Sequence, residues 1–238
     1  MSNTLAIAKR ELRAYFLSPM AYVVAAVYLA VMGGFFGFML YYSQEATLYY
    51  LFLNAIPLLF LVLVAQVLTM RLLADEQRQG TLELLLTSPI RDWEVVLGKY
   101  LASLVTLLLM VALTIYCPLT LLRIGNPDVG VMLASYLGYV LLGASMLAIG
   151  LFASSLTQNQ IVAAVIGIGI TLILWLSGAV TDLVGGTAGQ VFGYLPIFDH
   201  FLDFVRGIID TSDIIYYLSV IGLFLFFATR ALESQRWK

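Results

Sequence analysis

Charge is scarce in this chain, and cysteine and histidine are almost missing. Only 11% of the 238 residues are charged, while 62% are apolar. The charged share is about half of that in a typical soluble domain. A water-soluble fold of this length has no means of hiding so much apolar surface, so the sequence predicts a protein whose solvent is a lipid bilayer. The single cysteine, Cys117, excludes an intramolecular disulfide framework. One cysteine and one histidine, His200, leave no cluster with which to ligate a metal. A net charge of −2 gives no basic surface for nucleic acid. Lys9, Arg10, Glu11 and Arg13 precede an apolar run that is long and without a small-residue cleavage site, which does not describe a cleavable signal peptide.

What is present is a series of uncharged runs. A membrane helix needs roughly 20 apolar residues at about 1.5 Å rise each. The runs predict an all-α integral membrane protein, a single transmembrane domain over 1–238, with spans at 21–42, 51–70, 100–122, 131–152, 161–180 and 214–229. The fourth and fifth spans share a run of 53 uncharged residues from Val129 to Thr181. As one helix this would be roughly 80 Å long, so it must fold back. The polar stretch Ser154 to Gln160 is the evident turn. Ser212 or Asp213 is placed to cap the sixth span. Residues 184–209 fit no span, because Gly185, Gly186, Gly189, Gly193 and Pro196 break them. The favoured reading is a re-entrant or interfacial helical hairpin on the extracytoplasmic side; an ordinary loop is the other.

With the N-terminus in the cytoplasm, ten of the lysines and arginines lie inside and two, Arg123 and Arg206, outside. That bias orients the chain with both ends cytoplasmic. Residues 3–17 read as an amphipathic helix on the cytoplasmic membrane surface, with Leu5, Ala8, Leu12, Tyr15 and Phe16 at helical spacing and Lys9, Arg10 and Arg13 on other faces. A frayed extension of the first span is the alternative. Pro19 allows a bend into that span.

The spans have no central acid, base or histidine, which argues against a proton-coupled carrier and against an intramembrane enzyme. His200 sits among Asp199, Asp203 and Arg206, whose spacing suggests a solvated, ion-paired helix face; a ligand- or metal-binding role is the alternative. A driving force, if this protein moves something, must come from another subunit. Gly33 and Gly37 have GxxxG spacing, and Gly138, Gly143, Gly150, Gly167 and Gly169 mark the fourth and fifth spans. Such residues let helices approach within one bundle or between subunits.

The longest cytoplasmic connection, 71–99, holds a short leucine-rich helix, Thr81 to Leu86, bearing Glu83 and bounded by Gly80 and Ser88-Pro89. Leu82, Leu84, Leu85 and Leu86 suit either burial in a partner's groove or an ordinary amphipathic loop helix.

Four stretches resemble a known family: AIAKRELRAYFLSPMAYV at the N-terminus, MRLLADEQRQGTLELLLTSPIRDWEVVLGKYLA around the loop, the turn GLFASSLTQNQIVA, and the C-terminal FVRGIIDTSDIIYYLSVIGLFLFFATRALESQRW. The chain resembles ABC-2 type transporter permeases (a type V exporter-like fold), and within them the GldF-like group named for gliding motility. The most specific part is E-x-x-x-G-T-x-E-x-L-L-x-x-P, from Glu76 to Pro89. The resemblance implies a non-catalytic permease subunit that exports a substrate or extracts it from the membrane. It implies a second permease chain, identical or related, and a cytoplasmic ABC ATPase that binds the ATP and Mg; this chain binds no cofactor and lacks the phosphate-binding GxxxxGK[ST] loop. Glu76, Gly80, Thr81, Leu82, Glu83, Leu84, Leu85, Leu86 and Pro89 would form the coupling helix that docks the ATPase, and Lys9, Arg10 and Arg13 would lie on a connecting helix. An auxiliary membrane protein with an extracytoplasmic, GldG-like domain is the further implied partner. A mechanotransmitting module that drives such a partner without transporting anything is the second reading.

Overall fold

The computed structural model describes residues 2–43, 47–81, 90–184 and 193–235. Among these residues the chain is all-helical, and six helical stretches are long and apolar enough to cross a membrane: Pro19–Tyr42, Ala55–Arg78, Asp92–Ile124, Val129–Ser155, Gln160–Ala179 and Thr211–Gln235. The protein is therefore a multi-pass membrane protein. In chain order its helices are α1 (Ser2–Leu17), α2 (Pro19–Ser43), α3 (Tyr49–Leu53), α4 (Ala55–Thr69), α5 (Ala74–Arg78), α6 (Asp92–Leu113), α7 (Tyr116–Ile124), α8 (Val129–Ser155), α9 (Gln160–Val184), α10 (Asp199–Val205) and α11 (Thr211–Gln235).

Helix α8 is the centre of the bundle, packed by α4, α6, α9, α10 and α11. Its sequence suits that place, because its glycines admit neighbours. A methyl group on Gly138 would stand 2.5 Å from Cβ of Phe204 in α10, and one on Gly143 would stand 2.7 Å from the Leu107 side chain in α6. Gly150 and Gly167 face Gln66 of α4 from two sides. Close approach of this kind is what holds helices together where lipid and side chain are equally apolar. Gln66 is buried; its Nε2 donates to the carbonyl of Met146 at 3.3 Å, and its Oε1 has no partner. Of the GxxxG pair, Gly33 abuts the Tyr116 hydroxyl, whereas a methyl on Gly37 would meet open space.

Breaks in the helices are satisfied locally, as a bilayer requires. The second span is not one helix from 51 to 70: α3 stops at Leu53, and Asn54 Oδ1 accepts the Ile56 N–H at 3.0 Å to start α4. The third is entered by a helix that starts at Asp92 and runs on through residue 100, and Pro118 interrupts it. Proline has no N–H to offer the Thr114 carbonyl; that oxygen takes the Cys117 N–H at 2.9 Å and the Tyr136 hydroxyl at 3.0 Å. Asp128 Oδ1 caps α8 through Gly130 N at 2.8 Å, and Asn159 Oδ1 caps α9 through Ile161 N at 2.9 Å.

Of the segment read as a re-entrant hairpin, residues 185–192 lie outside the described residues; beyond them α10 is buried by protein on one face. Phe201 and Phe204 are covered, and Phe201 joins Phe52 and Tyr139 in an aromatic cluster with centroids 5.0–6.4 Å apart. Gly207 adopts φ +85, a left-handed conformation suited to glycine, where the chain leaves α10. The cap of the last span differs from expectation. Neither Ser212 nor Asp213 is the capping residue: Asp210 Oδ1 accepts the Ser212 N–H at 2.8 Å, and Asp213 turns inward to His200.

Candidate functional site

The described residues with the densest buried charge lie where α1, α5 and α6 meet. Helix α1 runs alongside the start of α6 in the same direction. Asn3 donates to Glu94, Ile7 packs on Gly98, and Glu11 pairs with Lys99. A methyl on Gly98 would come within 2.8 Å of the Ile7 side chain and 3.0 Å of the Thr4 carbonyl, so that glycine sets the approach. This packing divides the apolar stripe read from the sequence. Ala8 and Tyr15 face inward with Thr4 and Ile7, while Leu5 and Phe16 are exposed. The cause is that α6 supplies a second apolar surface on the side of α1 away from lipid.

Four charges alternate in sign at this junction. Arg10 Nη2 lies 2.9 Å from Glu11 Oε1 and 3.0 Å from Glu76 Oε1; Lys99 Nζ lies 3.2 Å and 2.9 Å from the same two oxygens. The Lys99 side chain is 1% exposed, and those of Glu11 and Glu76 are 14% and 19% exposed. A lysine buried this deeply stays charged only with carboxylates at contact distance. Burial works against ionisation of Glu11, but the charge of Lys99 and the hydrogen bond from Arg10 outweigh it and hold the carboxyl below its usual 4.5. The hydrogen bond to Glu11 likewise raises Arg10 above its usual value. Burial raises the Tyr15 phenol, whose hydroxyl donates to the carbonyl of Leu68 and whose ring carries the Arg71 guanidinium at 4.7 Å.

A cavity of about 500 Å3 opens beside the quartet, lined by Arg10, Arg71 and Lys99 and by Glu11, Asp75 and Glu76. Its charges balance. Around it the turn 154–160 fastens α5. Ser154 Oγ accepts the N–H groups of Leu73 and Ala74 at 3.0 Å each and donates to the Met70 carbonyl at 3.0 Å. The Ser155 carbonyl accepts from Gln77 and from Gln235, both at 3.0 Å, and Gln160 donates to Asp75. The junction thus binds both legs of the 79–91 connection, the N-terminal helix and the end of α11 into one piece. It offers no nucleophile paired with a base, and no group of three metal-ligating side chains occurs among the described residues.

Of the residues singled out from sequence, Glu76 and Arg10 are in the quartet, Gly80 follows α5 at φ +71, and Thr81 Oγ1 donates to the Glu76 carbonyl at 3.3 Å. Lys9 and Arg13 are exposed on α1. Leu82, Glu83, Leu84, Leu85, Leu86 and Pro89 lie outside the described residues. Sequence reasoning missed Glu11 and Lys99 as partners, since they stand 88 positions apart; the only signal was charge beside apolar runs. It also misplaced His200. Asp203 and Arg206 do pair on an exposed face, at 3.5 Å, but His200 Nδ1 lies 2.6 Å from Asp213 Oδ1, Nε2 lies 3.0 Å from the Tyr194 carbonyl, and the ring stacks on Tyr216. The reason is that α11 brings an acid and an aromatic ring to α10, which no spacing within α10 reveals.

A model of the family described as ABC-2 family transporter protein matches residues 5–231. Two relatives named "Probable multidrug ABC transporter permease YbhR", from Escherichia coli K12 and from Escherichia coli O157:H7, are each 32% identical over 114 residues. The match covers 46% of this chain and 30% of each relative, so it spans about a third of their length.

Proposed function

The chain belongs to the ABC-2 family of transporter proteins, and from that premise we propose that it is the permease subunit of an ATP-driven transporter, exporting a substrate or extracting it from the membrane. A separate cytoplasmic ATPase binds ATP and Mg, and this chain binds neither. Two permease chains pair, and each docks one ATPase through the coupling segment Gly80 to Pro89, Glu83 and the leucines providing the contact. The bundle sits in a bacterial inner membrane with both ends cytoplasmic, in keeping with the ten-to-two distribution of basic residues. The GldF-like motif between Glu76 and Pro89 favours that group, and with it an auxiliary membrane protein whose GldG-like domain lies over the 184–209 side.

The observation that carries this reading is the ionic quartet. A push on the 79–91 connection reaches Glu76 at the end of one span and Lys99 at the start of the next; Glu76 holds Arg10, Lys99 holds Glu11, and the two hold each other. Such a linked element is what a lever needs: force at the loop moves two spans and the N-terminal helix together. The test is replacement of Glu83 or Leu84 by arginine, read by ATPase co-purification and ATP turnover. Both are expected to fall, because a cation in an apolar contact is left unpaired. Unchanged assembly and turnover would refute the docking role.

A further inference from the structure

The junction of α1 and α2 has a feature that the transport reading does not use. Along α1 the exposed surface changes character within one turn. Lys9 and Arg13 are exposed and make no ion pair among the described residues, whereas Arg10 is committed to Glu11 and Glu76, and Arg71 to Ser18 and the Tyr15 ring. Lys9 and Arg13 are four residues apart and therefore share a face. Immediately beyond them the exposed residues are apolar: Phe16, Leu17, Met20 and Tyr22. At about 1.5 Å of rise per residue, Arg13 and Phe16 are separated by only a few ångströms along the axis. That is the step from headgroup to hydrocarbon at the edge of a bilayer.

At this step a groove of about 140 Å3 opens between α2 and α6, walled by Phe16, Ala21, Ala25, Leu109, Met110 and Leu113. Of its three polar neighbours, Tyr22 is 60% exposed, and Thr106 and Tyr15 present no free donor to it. Thr106 Oγ1 donates to the Ala102 carbonyl at 2.8 Å, and the Tyr15 hydroxyl donates to the Leu68 carbonyl. Apart from the Tyr22 hydroxyl the groove offers hydrocarbon contact, and its Phe16 wall lies one turn beyond the uncommitted Arg13 on α1. We propose that this junction is a binding site for one anionic phospholipid, with Lys9 and Arg13 taking the phosphate of the headgroup and the groove taking the first part of one acyl chain. A headgroup of net negative charge is favoured over a zwitterionic one because, among the described residues, neither cation is paired with an acid and Glu11 between them is held by Arg10 and Lys99, so no free carboxylate answers an ammonium group.

Native mass spectrometry of the purified protein tests the site, with dioleoyl phosphatidylglycerol and dioleoyl phosphatidylcholine as probes. One phosphatidylglycerol is expected to be retained about tenfold over phosphatidylcholine, in line with the attraction of two basic side chains to an anionic lipid. The double variant K9Q/R13Q should lower retention to the phosphatidylcholine level. R230Q, which removes another exposed cation, should leave the preference intact. Dihexanoyl phosphatidylglycerol, with the same headgroup and chains too short to fill the groove, should be retained markedly less. Preference surviving in K9Q/R13Q, an equal loss in R230Q, or equal retention of the short-chain lipid would each overturn the proposal.

Discussion

At the residue scale, Lys99 concentrates the energetics of the charged junction. Its ammonium group is buried and touches two carboxylate oxygens at 3.2 Å and 2.9 Å. Removing one partner of a buried ionic group strands the others, so Lys99→Met is expected to cost about 3 kcal/mol. A lowered thermal unfolding midpoint in detergent would show it. Adding Glu11→Gln should restore part of the loss, because one stranded carboxylate is then gone; a double variant as unstable as the sum of the singles would contradict the network. Glu11 also sets a pH window. Its folded pKa lies below the usual 4.5, so its contribution to stability is complete above about pH 4.5 and is lost as pH falls through the lower, folded value. Hydrogen exchange in α1 should therefore be flat between pH 8 and 5 after correction for intrinsic rates, and should rise under stronger acid. In Glu11→Gln the acid-dependent part should shrink.

At the element scale the central helix α8 is held by close fit along its middle as well as by hydrogen bonds. Gly138 is the sharpest case, because the atoms a methyl group would meet are Cβ and Cγ of Phe204, near the root of that side chain, at 2.5 Å and 2.6 Å. Rotation about χ1 can move Cγ but not Cβ, which is fixed to the backbone, so α10 must shift. Gly138→Ala should cost about 1–3 kcal/mol by overpacking. Gly169→Ala is the control, since nothing lies within 4 Å of its added methyl group. Thermal unfolding of the two variants in the same detergent separates local fit from a general effect of glycine in helices; equal midpoints would show that α8 and α10 are not tightly packed there. Tyr136 does comparable work in polar form, supplying the Thr114 carbonyl with the donor that Pro118 lacks.

At the scale of the whole molecule, a bundle of six spans is built about one of them, the buried α8, and the charge missing from the spans is gathered at their ends. The His200–Asp213 pair joins α10 to α11 at one of these sites, and the Arg10–Glu11–Glu76–Lys99 quartet joins α1, α5 and α6 at another. Ion pairs tie adjacent elements together at these sites, while the middle of the bundle is held by close packing and a few neutral hydrogen bonds. Under the proposed function, substitutions at Glu83 or Leu84 act on the docked assembly, whereas those at Lys99 act on the permease alone. Their effects on ATPase co-purification should differ accordingly.

The amino-acid sequence alone determined the solvent, the number of spans and where the long uncharged run folds back. These depend on local quantities, namely the length of apolar runs and the charges and polar turns between them, which need no partner to be read. Only the tertiary structure decided which face of α1 is buried, that Gly138 and Gly167 are fitted to Phe204 and Gln66 while Gly37 is not, that Asp210 caps α11, and that Lys99 is neutralised by Glu11 and Glu76. Each of those outcomes depends on which atoms from a different helix arrive within a few ångströms, and neither hydropathy nor spacing along one helix carries that information.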